Sequence, residues 1–448
     1  MKNVLILGAG QSSPFLISYM LEQAEKYNWF VTVADYNIEA ASEKVNNHPK
    51  GQAVQFDVND EKLRNTLIKK SDIVLNLLAP PFQYLIAIDC LHHSKPVISA
   101  SYENERVGDL NKDAQRKGIL ILNEMGLDPG IDHMSAMSLI QKIRDAGGCV
   151  TSFVSYGSAV PAPDVKSNPL DYCVTWNARN VVMAGETGAI YMEEGQIKML
   201  PYNQLFNRTW AVDVDGVGTF EAYPNRDSMV YQDLFKLDQV KTMVRGTLRY
   251  PGWSETWAQI VKLGIPNEFL EIPNLCKMTY SQFIEMFVPV NSNGGKVETR
   301  VANFLKISPT GGIMEKLKWL GFFDDNVIGG NVKTSTDVMQ KILTEKLPLP
   351  AGKRDMVILM HKLEAEYPKE NKRKRYISTL VDYGIPDGMT TIAKTVGAPA
   401  GIAAKLILLG ELPLTGTHIP THPAIYTKVL AELEELGLKF VEKEEEVL

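Results

Sequence analysis

The chain opens Met1-Lys-Asn-Val-Leu-Ile-Leu7-Gly8-Ala-Gly10-Gln-Ser-Ser13-Pro14. Val4–Leu7 is a short, continuous apolar run that stops at a glycine, which reads as a strand buried on both faces. Gly8 permits the tight turn that follows, and Gly10 lets a pyrophosphate approach the backbone. Pro14 suits a first helical turn, where its missing N–H costs nothing. A helix starting there points free N–H groups and the positive end of its dipole at the anion. Ser13 stands where a third glycine is usual, so helix and strand must pack around a small hydroxyl. The glycines alone are a weak signal. A strand before them and a helix after them make the stretch a dinucleotide-binding turn.

The residues beyond it repeat the unit. Strand-like runs occur at Phe30–Ala34, Ala53–Phe56, Ile73–Leu78, Pro96–Ala100 and Ile119–Leu122, with helical patterns at Phe15–Glu25, Ile38–Asn46 and Glu61–Lys70. Asp60 is placed to cap the last of these. Alternating strands and helices predict an α/β fold, a Rossmann doubly wound parallel sheet with right-handed crossovers. Past residue 148 the strand candidates become longer and more polar (Val150–Tyr156, Gly216–Ala222, Thr242–Leu248), which predicts a mixed or antiparallel sheet in a separate α+β domain. Helical patterns such as Gly312–Leu320 and Ser335–Leu347 dominate 263–350. Thr390–Leu409 is apolar and helix-like but interrupted by Pro399 and Gly401, and Ala431–Glu446 reads as a charged, solvated segment.

Composition narrows the function classes. A chain of 448 residues with 45% hydrophobic residues can bury a core without a disulfide or metal staple. Cys90, Cys149, Cys173 and Cys276 lie far apart with no CxxC pair, which argues against a zinc ribbon and fits a reducing compartment. A net charge of −6 argues against a nucleic-acid partner, and the densest basic run, Lys369-Glu-Asn-Lys-Arg-Lys-Arg375, reads as a solvated surface loop. No uninterrupted apolar run approaches the ~18 residues of a membrane span, and the apolar core of Met1–Leu7 is too short for a signal peptide. The expected location is cytoplasmic, with no membrane, nucleic-acid or metal partner.

Asp35 ends the second strand. A carboxylate there can accept hydrogen bonds from the adenosine ribose hydroxyls and repels a 2′-phosphate, which favours NAD, with NADP the alternative. A plain turn residue before Asn37 is the competing reading. Asp57-Val58 ends the third strand, where the adenine edge would lie, and a capping or turn role suits Asp57 equally well.

Four stretches suggest a substrate site. Ala100-Ser101-Tyr102 lies at the C-terminal end of the fifth strand, the edge that faces the ligand crevice in a doubly wound sheet. Gly126-Leu-Asp-Pro-Gly-Ile-Asp-His133 follows the sixth strand. Pro129 biases Asp128 to an extended backbone that aims its carboxylate out of a turn. Asp132 could cap the next helix, and His133 reads first as a partly buried helix residue. Ala222-Tyr-Pro-Asn-Arg-Asp-Ser228 sets Arg226 among turn formers, where a planar guanidinium can clamp a carboxylate; a salt bridge to Asp227 is the plainer reading. Val244-Arg-Gly-Thr-Leu-Arg-Tyr-Pro251 puts Arg245, Thr247 and Arg249 on one face of a strand. Several arginines with a nucleotide motif suggest a small-molecule substrate carrying several carboxylates.

These motifs, with Pro161-Ala-Pro163, Asn168-Pro-Leu170, Arg245-Gly-Thr-Leu-Arg-Tyr250 and Ala393-Lys-Thr-Val-Gly397, resemble saccharopine dehydrogenase (L-glutamate-forming), also called saccharopine reductase, over nearly all of the chain. The resemblance implies a Rossmann domain over 1–127 with a C-terminal return at 391–448. It further implies an α+β substrate and dimerisation domain over 128–262 and 351–390, a helical insertion over 263–350, and a homodimer. It implies substrate contacts at Ser101, Tyr102, Asp128, Tyr156, Arg226 and Thr247, to which the charge argument adds Arg245. Dinucleotide contacts fall on Gly8, Ala9, Gly10, Gln11, Ser12, Asp35, Asp57, Val58, Leu78, Ser101, Leu127, Asp128 and Pro129. The reaction implied is hydride transfer at a CH–NH bond that interconverts saccharopine with glutamate and aminoadipate semialdehyde. Tyr102 and Asp128 are the catalytic candidates. A carboxynorspermidine or carboxyspermidine dehydrogenase is the alternative, and a catalytically idle NAD-binding module a more distant one. Two departures stand out. The family usually reads Tyr-Cys-Gly-Gly-Leu-Pro-Ala-Pro-Glu where this chain has Tyr156-Gly-Ser-Ala-Val-Pro-Ala-Pro-Asp164, so a thiol at Gly157 plays no part here. Members that use NADP tend to carry arginine near position 35, and this chain does not.

Overall fold

The computed structural model describes residues 1–290 and 294–447. The chain divides into two compact units. One comprises 1–149, 367–371 and 380–442; the other comprises 150–366, 372–379 and 443–448.

Strands β1 (Asn3–Leu7), β2 (Phe30–Asp35), β3 (Gly51–Gln55), β4 (Ile73–Asn76), β5 (Val97–Ser99) and β6 (Leu120–Leu122) come first. The later strands are β7 (Cys149–Pro161), β8 (Ala189–Glu193), β9 (Gln196–Leu200), β10 (Trp210–Val214), β11 (Gly218–Pro224) and β12 (Thr242–Arg249). They end with β13 (Asp355–Tyr367), β14 (Lys372–Tyr383), β15 (Gly416–His418) and β16 (Val441–Val447).

The first unit holds a seven-stranded sheet in the order β15-β6-β5-β4-β1-β2-β3, parallel at every pairing. β4, β5 and β6 are buried along their whole length, as strands covered on both faces must be. β1 pairs with β2 on one side and β4 on the other, so the strand order reverses there and a crevice opens at the strands' C-terminal ends. The helix Pro14–Tyr27 starts with proline and ends on a left-handed Asn28. The helix Thr391–Leu408 packs on it and is continuous through Pro399 and Gly401, against the expected interruption. Burial on its neighbours outweighs the one backbone hydrogen bond that Pro399 removes. By length and composition this helix could cross a membrane, but 78% of its apolar window is buried inside the protein, and it serves as a core helix.

In the second unit the sheet runs β10-β11-β12-β7-β13-β14-β16, with β8 on β12 and β9 on β8. β11 and β12 are antiparallel, whereas β12 and β7 are parallel, so the sheet is mixed. Within 263–350 the helices Tyr280–Glu285 and Ser335–Lys346 each begin with a capping box, at Thr279/Gln282 and Thr334/Asp337. This helical stretch clusters with the second unit, and no division falls at 263 or 350.

Two further expectations change. The first unit extends to Cys149 instead of ending at 127, because the helix Ile131–Asp145 packs on the helix Pro423–Glu435. The basic run Lys369–Arg375 is no loop, since its second half begins β14. There Arg373 and Arg375 pair with Glu364, Lys372 with Glu446, and Lys374 with Glu444 of β16. The charged tail is thereby an edge strand, and the charges on the two strands answer each other.

Candidate active site

In the first unit the glycine loop has the shape that its sequence demands. Gly8 lies at φ +102, and a Cβ there would press on the Leu77 backbone at 3.1 Å. The N–H of Gly8 donates to the Ala34 carbonyl at 2.9 Å. Gly10 and Gln11 are exposed and Ser12 half-buried, and a Cβ on Gly10 would meet nothing within 4 Å. Ser13 makes no side-chain cap, and no acidic residue lies in the first turn of the helix it precedes. Its hydroxyl donates back to the Gly10 carbonyl at 2.8 Å. The loop therefore offers uncapped N–H groups under open space, which fits a dinucleotide's pyrophosphate.

Asp35 stands beside this loop. Its Oδ2 accepts the Ala9 N–H at 2.6 Å and its Oδ1 that of Asn37 at 2.8 Å. The turn reading of Asp35 thus holds together with its place next to the glycines. Asp57 takes a turn role too: its Oδ1 accepts from the Asn59 N–H at 2.9 Å. Val58 packs on the sheet core, and the Leu78 N–H donates to the Asn76 side chain at 3.1 Å.

The motifs after β5 and β6 come together. The Tyr102 hydroxyl donates to Oδ1 of Asp128 at 2.8 Å. Ser101 N–H donates to the Ser99 hydroxyl at 3.2 Å, and the Ser101 carbonyl accepts the Glu124 N–H at 3.1 Å. Leu127 and Pro129 are buried on either side of the half-buried Asp128. Asp132 does not cap the helix that follows; its Oδ1 turns back to the Gly130 N–H at 2.7 Å.

Beneath this pair lies a buried polar cluster that sequence reasoning missed. His133 is 1% exposed and contacts Glu124 and Asp132 through its two ring nitrogens, at 2.7 and 3.0 Å. Burial works against its charge, but the two carboxylates outweigh burial and raise its pKa to about 9. Asn123 donates to Glu103 at 2.7 Å and accepts from Gln83 at 3.1 Å. Burial pushes the Glu103 carboxyl up, against the Asn123 hydrogen bond. The available signal was position: Asn123 and Glu124 directly follow a fully buried parallel strand, at the edge where ligands bind.

In the second unit the register separates the expected residues. Tyr156 pairs with Gly246 and Gly157 with Thr247, so Tyr156 and Thr247 point to opposite faces of the sheet. Tyr156 packs against Trp210, whose indole N–H donates to its hydroxyl at 2.7 Å. Burial raises the Tyr156 phenol above its ordinary range, so it stays protonated at neutral pH. Arg226 is exposed, in a left-handed backbone at φ +53 just past β11. Arg245 is buried and turned inward, donating to the Tyr231 hydroxyl at 3.0 Å.

Arg249 differs from both. It is 6% exposed, with its guanidinium 5.1 Å from the Tyr172 ring and 5.9 Å from that of Trp253. One Nη donates to the Leu248 carbonyl at 2.9 Å, while its Nε has no hydrogen-bond partner among the described residues. No carboxylate among them pairs with it. It shares a strand face with Thr247, which neighbours Tyr223 across β11. Burial pushes the Tyr223 phenol up, and the nearby Arg249 charge opposes that. A buried cation without an anion is costly, and this arrangement is suited to hold a substrate carboxylate.

Comparison with known proteins bears on the family of the chain. Residues 4–122 match the family model described as the saccharopine dehydrogenase NADP binding domain, and 126–438 match that of the saccharopine dehydrogenase C-terminal domain. A curated relative from Schizosaccharomyces pombe, saccharopine dehydrogenase [NADP(+), L-glutamate-forming], is 31% identical over 99% of both chains. The solved apo structure of saccharopine dehydrogenase (L-Glu forming) from Saccharomyces cerevisiae has a TM-score of 0.86 at 29% identity, covering 99% of this chain and 100% of that one. A homospermidine synthase from Legionella pneumophila has a TM-score of 0.53 at 11% identity over 99% of this chain and 91% of that one, a likeness of fold alone. Two family models match residues 4–122 and 126–438 and a relative matches 99% of the chain, so the chain belongs to the saccharopine dehydrogenase family.

Proposed function

We propose that the protein oxidises saccharopine at its secondary amine, releasing glutamate and aminoadipate semialdehyde, and that it also runs the reverse condensation. The observation that carries this reading is Arg249, a buried guanidinium whose Nε has no partner among the described residues, on the strand face that bears Thr247. Saccharopine has three carboxylates, and such a group needs one. Arg226, exposed at a turn, is our proposed contact for another. Arg245 is engaged with Tyr231 and serves to hold the strand.

A bound nicotinamide dinucleotide supplies the two-electron acceptor for the C–H bond next to the amine. Gly8 to Ser12 would hold its pyrophosphate and Asp35 its ribose. The amine gives up its proton, the resulting C=N adds water, and the C–N bond then breaks. We assign these proton transfers to Asp128 and Tyr102, whose hydroxyl and carboxylate already share a hydrogen bond at 2.8 Å. The chain has Gly157 where the family pattern has cysteine, so no thiol takes part at that position.

The cofactor reading is NAD. The relatives are named for NADP(+), but the residues of this chain at the three strand ends carry no cation for a 2′-phosphate. Residues 8–13, 35–40 and 56–61 contain no lysine or arginine, and they include Asp35, Glu39, Asp57, Asp60 and Glu61. We further propose a homodimer, which the motif resemblance to the family implies, and a cytoplasmic location, which rests on composition and on Met1–Leu7 reading as a strand.

The test is reduced-nicotinamide absorbance with saccharopine and either dinucleotide. A faster rise with NAD supports both the reaction and the role of Asp35. A rise with NADP alone keeps the reaction and overturns the NAD reading. Turnover of a carboxylated polyamine but not of saccharopine would reassign the substrate.

A further inference from the structure

The polar groups behind Tyr102 and Asp128 form one connected chain within the first unit. His133 is its node. Its Nε2 lies 2.7 Å from Oε2 of Glu124 and its Nδ1 3.0 Å from Oδ2 of Asp132. A neutral imidazole has one N–H, whereas both nitrogens here face acidic oxygens, an arrangement that suits the doubly protonated ring.

Each carboxylate directs its second oxygen to the backbone. Oε1 of Glu124 accepts the N–H of Glu103 at 3.0 Å, the residue directly after Tyr102. Oδ1 of Asp132 accepts the N–H of Gly130 at 2.7 Å, two residues after Asp128. The main chain repeats both links: Glu124 N–H donates to the Ser101 carbonyl and Asp132 N–H to that of Leu127, each at 3.1 Å. Glu124 does this from a left-handed backbone at φ +61, a conformation that persists only where the surroundings enforce it. One arm from His133 therefore ends on the segment carrying Tyr102, and the other ends on the loop carrying Asp128.

A buried histidine between two carboxylates can simply fasten a fold. Here the ends of the arms favour more than that. Both stop within two residues of the two side chains whose mutual hydrogen bond is 2.8 Å. We infer that His133, acting through Glu124 and Asp132, is a positioning residue that keeps the Tyr102 hydroxyl against the Asp128 carboxylate during turnover. This rests on assigning the proton transfers to that pair.

A double-mutant cycle on the full chain tests it, using His133→Gln, Tyr102→Phe and the two together, with saccharopine as substrate. His133→Gln lowers kcat on the order of 10–100-fold, with the KM for the dinucleotide changed less than about twofold. The double variant is little worse than the poorer single one, because the contact that His133 maintains is already gone. Multiplicative losses would overturn the inference, since His133 would then act on the fold at large. An undiminished kcat in His133→Gln would overturn it as well. An undiminished kcat in Tyr102→Phe alone would remove the pair from the reacting centre, and the inference with it; that outcome marks failure of the site assignment and not of the linkage. If His133→Gln does not fold, Glu124→Gln enters the same cycle with the same expectation. It keeps an acceptor for the Glu103 N–H but loses the charge that faces His133.

Discussion

Arg245 and Arg249 lie on one face of one strand, yet they do different work. Arg245 meets Tyr231 and is satisfied inside the second unit. Arg249 stacks beside Tyr172 and Trp253, and its Nε has no partner among the described residues. Arg249→Ala should therefore raise the KM for saccharopine. A lost charged hydrogen bond of about 1.5–3 kcal/mol corresponds to roughly 10–150-fold, with the dinucleotide KM unchanged. Arg249→Lys should recover only part of this, because an ammonium lacks the planar fork. Steady-state kinetics with saccharopine varied would decide, and an unchanged KM in the alanine variant would end the clamp reading. The sequence placed both arginines on one face from the period of a strand alone. The sequence reading named Arg245 as the substrate contact, but nothing local separates the two, since the difference depends on Tyr231, Tyr172 and Trp253 arriving from other parts of the chain.

The contact between the helices Pro14–Tyr27 and Thr391–Leu408 shows what an element can and cannot reveal. The apolar pattern of the second helix was legible. Its small residues are explained only by its neighbour. A Cβ on Gly397 would come within 2.7 Å of the Leu16 backbone nitrogen, and one on Gly401 within 2.7 Å of the Tyr19 ring. Gly397 meets main chain, which cannot swing aside. Gly397→Ala should thus destabilise the first unit by about 1–3 kcal/mol, despite alanine's better helix propensity. A chemical denaturation midpoint equal to that of the parent protein would show that the helices have room to separate. The edge strand β16 is the complementary case. Its run of acidic residues looked like solvated tail, and only the basic start of β14 beside it makes a strand of it.

At the scale of the whole molecule the proposed assembly is a homodimer. Light scattering should return about twice the chain mass of 49.9 kDa at micromolar concentration, and a mass of one chain would remove the assembly from the proposal. The chain's own division also needed the structure. Residues 128–149 were expected in the substrate domain but cluster with the Rossmann sheet, because the helix Ile131–Asp145 finds its partner in Pro423–Glu435, far along the chain.

The sequence by itself determined the parallel sheet, the glycine turn and the strand-end motifs that carry Ser101, Tyr102 and Asp128. Each is local: an apolar run between turn formers, a glycine that a tight turn requires, a motif at a strand's end. Only the tertiary structure decided that Tyr156 faces away from Thr247, that Arg249 and not Arg245 is the unpaired cation, and that His133 sits between Glu124 and Asp132. Those outcomes depend on strand register and on side chains brought together from distant parts of the chain, and neither is encoded in the residues next to them.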